Sequence, residues 1–474
     1  MPSPKVAIHE EPPSLTEGLR RLRDRLGVPA EFPAEVLAEA EQVSARQLPE
    51  LPDRTDIEFV TLDPASSVDL DQAFHLSRHG SGFLLRYAIA GVATFVTPGG
   101  RIDVEAHERG ETLYAPNRRL PLHPLVLSEG AASLLPGKVR PALIWELQLD
   151  ADGKTTSTRV ARGLVRSRAK LDYVSAQAAL ETGTGGEQLE LLRTIGTLLR
   201  AREAARGGVS LSVPEQEVLT DGTKWSLAYR AGLPIEDWNA ELSLATGMAA
   251  AQLMLAAGVG ILRTLPRAQE SAIERLRRTA HALGINWPHA QAYPDFVRSL
   301  DSRVPAHAAM LNSCTTLFRG AGYQAFDGVA PEYPEHAAIA APYAHVTAPL
   351  RRLVDRYAGE VCLAVSAGVE VPEWVLGALP ELPGLMAETG RRTNRFERGT
   401  VDLVEALVLA PRLGQSFAGV VISINDEDDE GTLQLADPAV EARVRGSRLV
   451  LGQQVRATLT AADLVTGQVE FRLL

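Results

Sequence analysis

Three carboxylates and a carboxamide crowd one stretch of the sequence, Thr61–Phe74, which reads TLDPASSVDLDQAF. They are Asp63, Asp69, Asp71 and Gln72. Such a row suits a hard divalent cation, because Mg²⁺ takes oxygen ligands in near-octahedral geometry and usually keeps waters and substrate oxygens in its shell. Gathering three uncompensated aspartates costs on the order of several kcal/mol in repulsion and desolvation unless a cation or an arginine sits among them. A solvated acidic turn is the competing reading, and spacing alone does not separate the two.

Two other metal-dependent motifs fail on the residues themselves. A haloacid-dehalogenase-like phosphatase needs Asp-x-Asp directly after a hydrophobic strand, whereas Asp63 is followed by Pro64 and Ala65. An EF-hand needs a glycine after alternating acids, which Asp69-Leu70-Asp71-Gln72 lacks. Asp426, Asp428, Glu430, Gly431 and Asp437 come nearer to a calcium loop, but strand patterns flank them, so that segment reads as an acidic hairpin. His75 sits close to Asp71 and reads as a structural histidine.

A second group lies far downstream in APYAHVTAPLRRLVDRYAGE, residues 341–360. Thr347 reads as a helix N-cap with Pro349 in the first turn, placing Arg351 and Arg352 near a positive helix end. That is a ready site for phosphodiester oxygens. Arginines in surface salt bridges are the alternative.

Positioning these groups requires a strand that stops at Asp63 and a loop that carries the other two aspartates. IEFVTLD supplies the strand, and Pro64 with Ser66 and Ser67 discourages its continuation. Residues 15–48 read as two short helices with Leu19, Leu22 and Leu26 on one face, either a helix-turn-helix-like module or a packing collar. Short strands follow from Ile57 to about Leu149, and helical periodicity then runs to about residue 410. Five closely spaced strand candidates end the chain and suit a small OB-type barrel. The expected fold class is α+β, with a helical N-terminal module and linker (1–52), a catalytic domain (53–411) and an OB-fold domain (412–474).

The bulk numbers narrow the function classes. With 474 residues, 45% of them hydrophobic and 23% charged, the chain is an ordinary globular protein. Its two cysteines, Cys314 and Cys362, allow neither a disulfide framework nor a Cys-x-x-Cys metal site and suit a reducing cytoplasm. The N-terminus has no apolar core of a cleaved signal, and the Ala- and Gly-rich run 242–262 reads as a buried helix. A net charge of −11 argues against indiscriminate polyanion binding, although residues 101–170 hold 12 Lys and Arg against 8 Asp and Glu.

Taken together, LDPASSVDLDQA and PYAHVTAPLRR resemble the two signature segments of the ribonuclease II family, whose catalytic RNB domain carries a DxDD-type cluster and a Y-A-H-F-T-S-P-I-R-R-type segment. DVEAHERGETLYAPNRRLPLHP, VRSRAKLDY and NRFER resemble three further family segments in the family's order, from about residue 55 to 410. The resemblance implies an RNB catalytic domain, a mixed sheet surrounded by helices, followed by a five-stranded OB barrel that binds RNA. It implies hydrolysis of single-stranded RNA from the 3′ end to 5′-nucleoside monophosphates, in a cytoplasmic monomer with no membrane or organic cofactor. Asp63, Asp69, Asp71 and Gln72 would hold one or two Mg²⁺ ions, Asp71 would position the attacking hydroxide, and Arg351 would stabilise the transition state. Tyr114, Tyr173, Tyr343, His345, Thr347, Arg352 and Glu397 match RNA-contacting positions, and Arg443, Arg445 and Arg448 are candidates for backbone contacts in the barrel.

Three departures stand out. Gln72 replaces the family's fourth aspartate, and Gly91 stands where an aspartate is usual. Only residues 1–52 precede the catalytic domain, where members commonly have two cold-shock domains. The first two support an alternative, an RNA-binding regulator that kept the fold and lost hydrolysis.

Overall fold

The computed structural model describes residues 13–115, 119–211, 215–220, 225–230, 232–425 and 429–474. Asp426 and Asp428 of the acidic hairpin lie outside these described residues. Eight strands build the part that carries the aspartates: β1 (Val60–Asp63), β2 (Gln72–His79), β3 (Gly82–Ala90), β4 (Leu113–Tyr114), β5 (Arg119–Leu120), β6 (Val139–Leu149), β7 (Thr155–Arg166) and β8 (Ala169–Asp172). Six of them form one sheet in the order β7-β6-β3-β2-β1-β8, while β4 and β5 pair separately. Neighbours are antiparallel except β1 and β8, which run parallel with Asp63 opposite Asp172. The sheet is therefore mixed, as expected.

Both of its faces are buried, which follows from period-2 alternation in the central strands. Leu85, Tyr87 and Ile89 of β3 join Trp145 and Leu147 of β6 on one face. They pack on the helices Gly186–Arg206, Pro234–Ala257 and Leu353–Ala367 through Leu192, Ile195, Leu242, Ala250 and Val361. Ala88, Ala90 and Ala142 are small and face the other way, where Leu70, Leu134, Leu350 and the helix Ala34–Ser44 come close. Each large side chain buried here contributes roughly 1.5–3 kcal/mol. The helix Pro234–Ala257 is long and apolar enough to cross a membrane, but Leu242, Ala245, Ala249 and Met254 are buried in this core.

Residues after 210 depart from the all-helical reading. Strands Glu215–Thr220 and Trp225–Arg230 form a hairpin, and Val259–Thr264 pairs with Gly322–Asp327. The run 242–262 is thus a helix and a strand, not one helix. Gly258 ends the helix in the left-handed region (φ 74°), and a Cβ on Gly260 (φ 153°) would lie 2.4 Å from Met254 Sδ.

The C-terminal strands close into the expected five-stranded barrel, Ser416–Asn425, Glu430–Ala436, Ala439–Arg445, Val469–Leu473 and Gln454–Ala462 in spatial order. Parallel pairing of Ala439–Arg445 with Val469–Leu473 completes the ring. The two N-terminal helices pack on different neighbours. Leu15, Leu19 and Leu22 of Pro13–Leu26 pack with Phe396 and Leu403 of the long helix Leu382–Leu409 and with the barrel core. Val36, Ala40 and Val43 of the second helix pack on the sheet instead.

Glu405 marks the joint between that long helix and the barrel. It is 2% exposed and accepts from the Glu441 N–H (3.1 Å) and from Gln216 Nε2 (2.8 Å). Burial pushes its carboxyl up to about 7, against the pull of Arg398. Because the folded value lies above the ordinary 4.5, this proton contributes stability at low pH that is lost as pH rises towards 7. Glu405→Gln keeps the acceptor oxygen and removes the titration. Thermal unfolding at pH 5 and pH 8 should show the variant gaining on the wild type by on the order of 1–3 kcal/mol at the higher pH. An unchanged gap at the two pH values would mean that Glu405 ionises freely.

Candidate active site

The loop after β1 has one turn bond of its own, Ser67 N–H to Pro64 O (2.9 Å), and is otherwise held from outside. Lys170 of β8 donates to the carbonyls of Ala65 (2.6 Å) and Ser67 (2.5 Å). Ser133 lies fully buried; its hydroxyl donates to Val68 O (2.7 Å) and accepts from the Leu70 N–H (3.0 Å). Asp69 is thereby fixed between two clamps. The Ala90 N–H donates to Asp71 O (2.8 Å) and locks the loop to the end of β3.

Asp71 points inward and is 1% exposed. Its Oδ1 accepts from the Leu350 N–H (2.7 Å) and its Oδ2 from Arg351 Nε (2.6 Å). Burial pushes the Asp71 carboxyl up to about 7, while the Arg351 guanidinium and the Leu350 amide pull in the opposite direction. Arg351 stays 37% exposed in its side chain, so one edge rests on Asp71 while the group still reaches solvent. Tyr114 faces the same guanidinium, near Asp69 and Asp71. Backbone pairing puts it there: Thr112 N–H donates to Arg351 O (2.9 Å) and Leu353 N–H to Gly110 O (3.0 Å).

Arg351 and Arg352 lie on a turn, not inside a helix capped by Thr347. The helix begins at Leu353 with Arg352 at its N-cap position. Thr347 instead pairs its hydroxyl with Ser243 Oγ (2.8 Å). Asp355 supplies the local acceptor, taking the Ala348 N–H (2.7 Å) and two bonds from Arg352 (2.9 and 2.8 Å). A carboxylate in the first helical turn outcompetes the threonine because it serves an amide and a guanidinium together.

Gln72 is committed on both sides. Its Nε2 donates to Thr347 O (2.8 Å) and its Oε1 accepts from the hydroxyl of Tyr87, which is 1% exposed. An amide is the side chain that can do both. Gly91, the other departure, is equally built in. Its N–H donates to Pro141 O (2.9 Å), and a Cβ there would sit 2.8 Å from that oxygen.

The remaining aspartates face different partners. Asp69 accepts from Arg119 Nη1, whose Nη2 donates to Glu129 Oε1 (2.7 Å). Asp63 lies beside Tyr173, whose hydroxyl accepts from Asn239 Nδ2 (3.1 Å). The donor set, three carboxylates and no sulfur or imidazole, fits a hard cation in its chemistry. Among the described residues, however, no three Asp, Glu, His or Cys side chains converge as a ready cation cage. Arginines match Asp69 and Asp71 in the structure, and Gln72 turns its oxygen to Tyr87.

Other expected residues gather elsewhere. Tyr343, His345 and Arg352 share a neighbouring cluster in which Tyr323 OH meets His345 Nδ1 (2.7 Å) and Arg263 lies 4.6 Å over the Tyr323 ring. Burial holds His345 well below its ordinary value. Glu397 is half-buried on the long helix Leu382–Leu409. Arg443 and Arg445 are drawn to Glu430 and Glu470, with Arg445 Nε 2.9 Å from Glu430, so these two barrel arginines already face carboxylates. His75 packs edge-on to Phe59, a structural place. Lys170, Ser133, Asn239, Tyr87 and Arg119 were missed. Of these, Arg119 and Lys170 lie within segments that carry the family resemblance, but nothing local marks their contacts.

Comparison with known proteins agrees with the domain order and the fold. Residues 52–364 match the RNB domain, and residues 415–474 match the RNase II-type exonuclease C-terminal S1 domain. The Arabidopsis thaliana protein "Exosome complex exonuclease RRP44 homolog A" is 28% identical over 366 residues, covering 74% of this chain and 39% of that relative. The chain therefore spans well under half of that relative's length. Mycoplasma genitalium RNase R, solved in complex with ribose methylated single-stranded RNA, is 19% identical with a TM-score of 0.86, over 98% of this chain and 78% of that one. Yeast Ssd1, described as a pseudonuclease, is 17% identical with a TM-score of 0.67, over 91% and 53% of the two chains. These two likenesses show a common fold.

Gln72→Glu tests the amide clamp without changing side-chain length. A carboxylate would face Thr347 O without a donor, which should lower stability by about 1–3 kcal/mol in urea unfolding at pH 8. Wild-type stability in this variant would show that the clamp is dispensable.

Proposed function

The chain belongs to the RNB-domain family, and on that premise we propose that it is a 3′→5′ exoribonuclease acting on single-stranded RNA and releasing 5′-nucleoside monophosphates. The observation that carries this reading is the buried contact of Asp71 with Leu350 and Arg351, which draws the aspartate loop and the arginine turn into one site. When bound, Mg²⁺ held by Asp63, Asp69 and Asp71 would lower the proton affinity of water and offset charge on the phosphate. Arg351, anchored by Asp71 at its Nε, presents the rest of its guanidinium to the phosphoryl oxygens. It stabilises charge that develops as the water oxygen bonds to phosphorus and the bond to the 3′-oxygen breaks. Asp71 positions the attacking water, which releases a proton to solvent as its oxygen bonds to phosphorus, and the leaving 3′-oxygen takes up a proton from solvent.

Tyr114, beside Arg351, offers a ring on which the terminal base stacks, a sequence-tolerant contact of roughly 1–3 kcal/mol. Tyr173 borders Asp63 and in this reading contacts the end of the strand. Tyr343, His345, Thr347, Arg352 and Glu397 line or support the approach, and contacts to 2′-hydroxyls distinguish RNA from DNA. The protein acts as a cytoplasmic monomer without an organic cofactor in this reading.

A second reading, an RNA-binding regulator without hydrolysis, draws on the internal use of Gln72 and on the Arg119–Asp69 pair. A 5′-labelled oligoribonucleotide separates the two. The hydrolase reading expects stepwise shortening with Mg²⁺ and none with chelator; an intact oligomer at high Mg²⁺ would favour the regulator. Asp71→Asn should abolish turnover with RNA binding retained, and Arg351→Gln should slow it by about 10²–10³-fold. A fully active Asp71→Asn variant would place the chemistry elsewhere.

A further inference from the structure

Arg119 bridges two carboxylates that belong to one rigid frame. Nη1 donates to Asp69, inside the aspartate group, and Nη2 to Glu129 (2.7 Å), outside it. Glu129 sits in a π-turn, Leu127–Ala131, braced by Arg140, whose Nη2 donates to Gly130 O (3.0 Å) and whose Nε donates to Ser133 O (3.1 Å). Ser133 also clamps the backbone on either side of Asp69. The backbones that carry the two carboxylates are therefore tied together, and the guanidinium between them can change its allegiance.

Asp69 is the more enclosed of the two, with its side chain 11% exposed against 27% for Glu129. A carboxylate that sheltered needs a matching positive charge, and Arg119 supplies it in the structure. A divalent ion and a guanidinium cannot both sit on the same oxygens without like-charge repulsion. The planar fork of arginine can, however, give up one acceptor and keep the other.

We propose that Arg119 is the resident counter-cation of Asp69, and that a divalent ion entering the aspartate group displaces it onto Glu129. Arg119 and Glu129 then set the divalent-ion affinity of the site in opposite directions. Arg119 competes with the ion, and Glu129 stabilises the displaced arginine. This inference rests on the reading of Asp63, Asp69 and Asp71 as the ion-holding group.

The test is Mn²⁺ binding to the full chain without RNA, followed by loss of the free-ion electron paramagnetic resonance signal. Arg119→Gln should bind Mn²⁺ roughly tenfold tighter than wild type, the scale on which a nearby opposite charge biases a carboxylate. Glu129→Gln should bind it about threefold or more weakly, on the same scale. In the Arg119→Gln background, Glu129→Gln should change little, because its effect runs through the arginine. Asp69→Asn should erase the gain from Arg119→Gln. Circular dichroism of each variant establishes that it is folded. Unchanged or weaker binding by folded Arg119→Gln overturns the proposal. So does an equal effect of Glu129→Gln in both backgrounds, which would mark simple long-range attraction, or failure of every form to bind Mn²⁺. The readout is independent of hydrolysis: correct affinity order with intact RNA would sink the nuclease reading alone.

Discussion

A carboxylate as deeply buried as Asp71 persists only where its charge is met by donors that cannot drift away. Leu350 and Arg351, 279 and 280 positions downstream, meet it with a backbone amide and a guanidinium. Much of the surrounding structure serves that meeting. The sheet delivers the loop, Ser133 and Lys170 hold its backbone, and Gly110–Thr112 pins the arginine turn from the opposite side. The local energy is high on both sides of the balance: a buried unmatched partner would cost about 3–5 kcal/mol. The pair thus specifies one arrangement of two distant segments more than it adds net stability.

The same logic explains the departures from the family pattern. A fourth aspartate at position 72 would face the Thr347 carbonyl, whereas the amide of Gln72 satisfies both Thr347 and the enclosed Tyr87 hydroxyl. At position 91 a side chain would press on Pro141, so the glycine belongs to the backbone contact there. Neutral clamps and arginine partners have taken over part of the charge compensation that a carboxylate-rich group would otherwise leave to a cation. Asp69 with Arg119 and Asp71 with Arg351 are two instances of one device, differing in depth: the Asp71 side chain is 1% exposed and that of Asp69 11%.

Short-range features were legible in the sequence. Strand β1 ends at Asp63, and the terminal strands form the five-stranded barrel, because alternation and turn residues are local signals. The two N-terminal helices were visible as helices, but their apolar faces do not say which neighbour will cover them; Leu19 met the long helix and Val36 the sheet. Thr347 looked like a cap because its neighbours suit a helix start, yet Asp355 provides a better acceptor within the same turn. Ser133 and Lys170 act on backbone carbonyls more than 60 positions away, and no local pattern marks such contacts. The strands after residue 210 escaped notice for a related reason, since pairing with a remote partner decides a short β segment more than its own propensity does.

The claim on which everything else depends is that Asp71 and Arg351 act as one energetic unit. A double-mutant cycle with Asp71→Asn, Arg351→Gln and the pair together, read from urea unfolding followed by tryptophan fluorescence, measures it directly. The structure predicts a coupling of about 2–4 kcal/mol, with the double variant far less damaged than the two single losses summed. Additive losses, agreeing within about 0.5 kcal/mol, would contradict it and leave the two halves of the site merely adjacent.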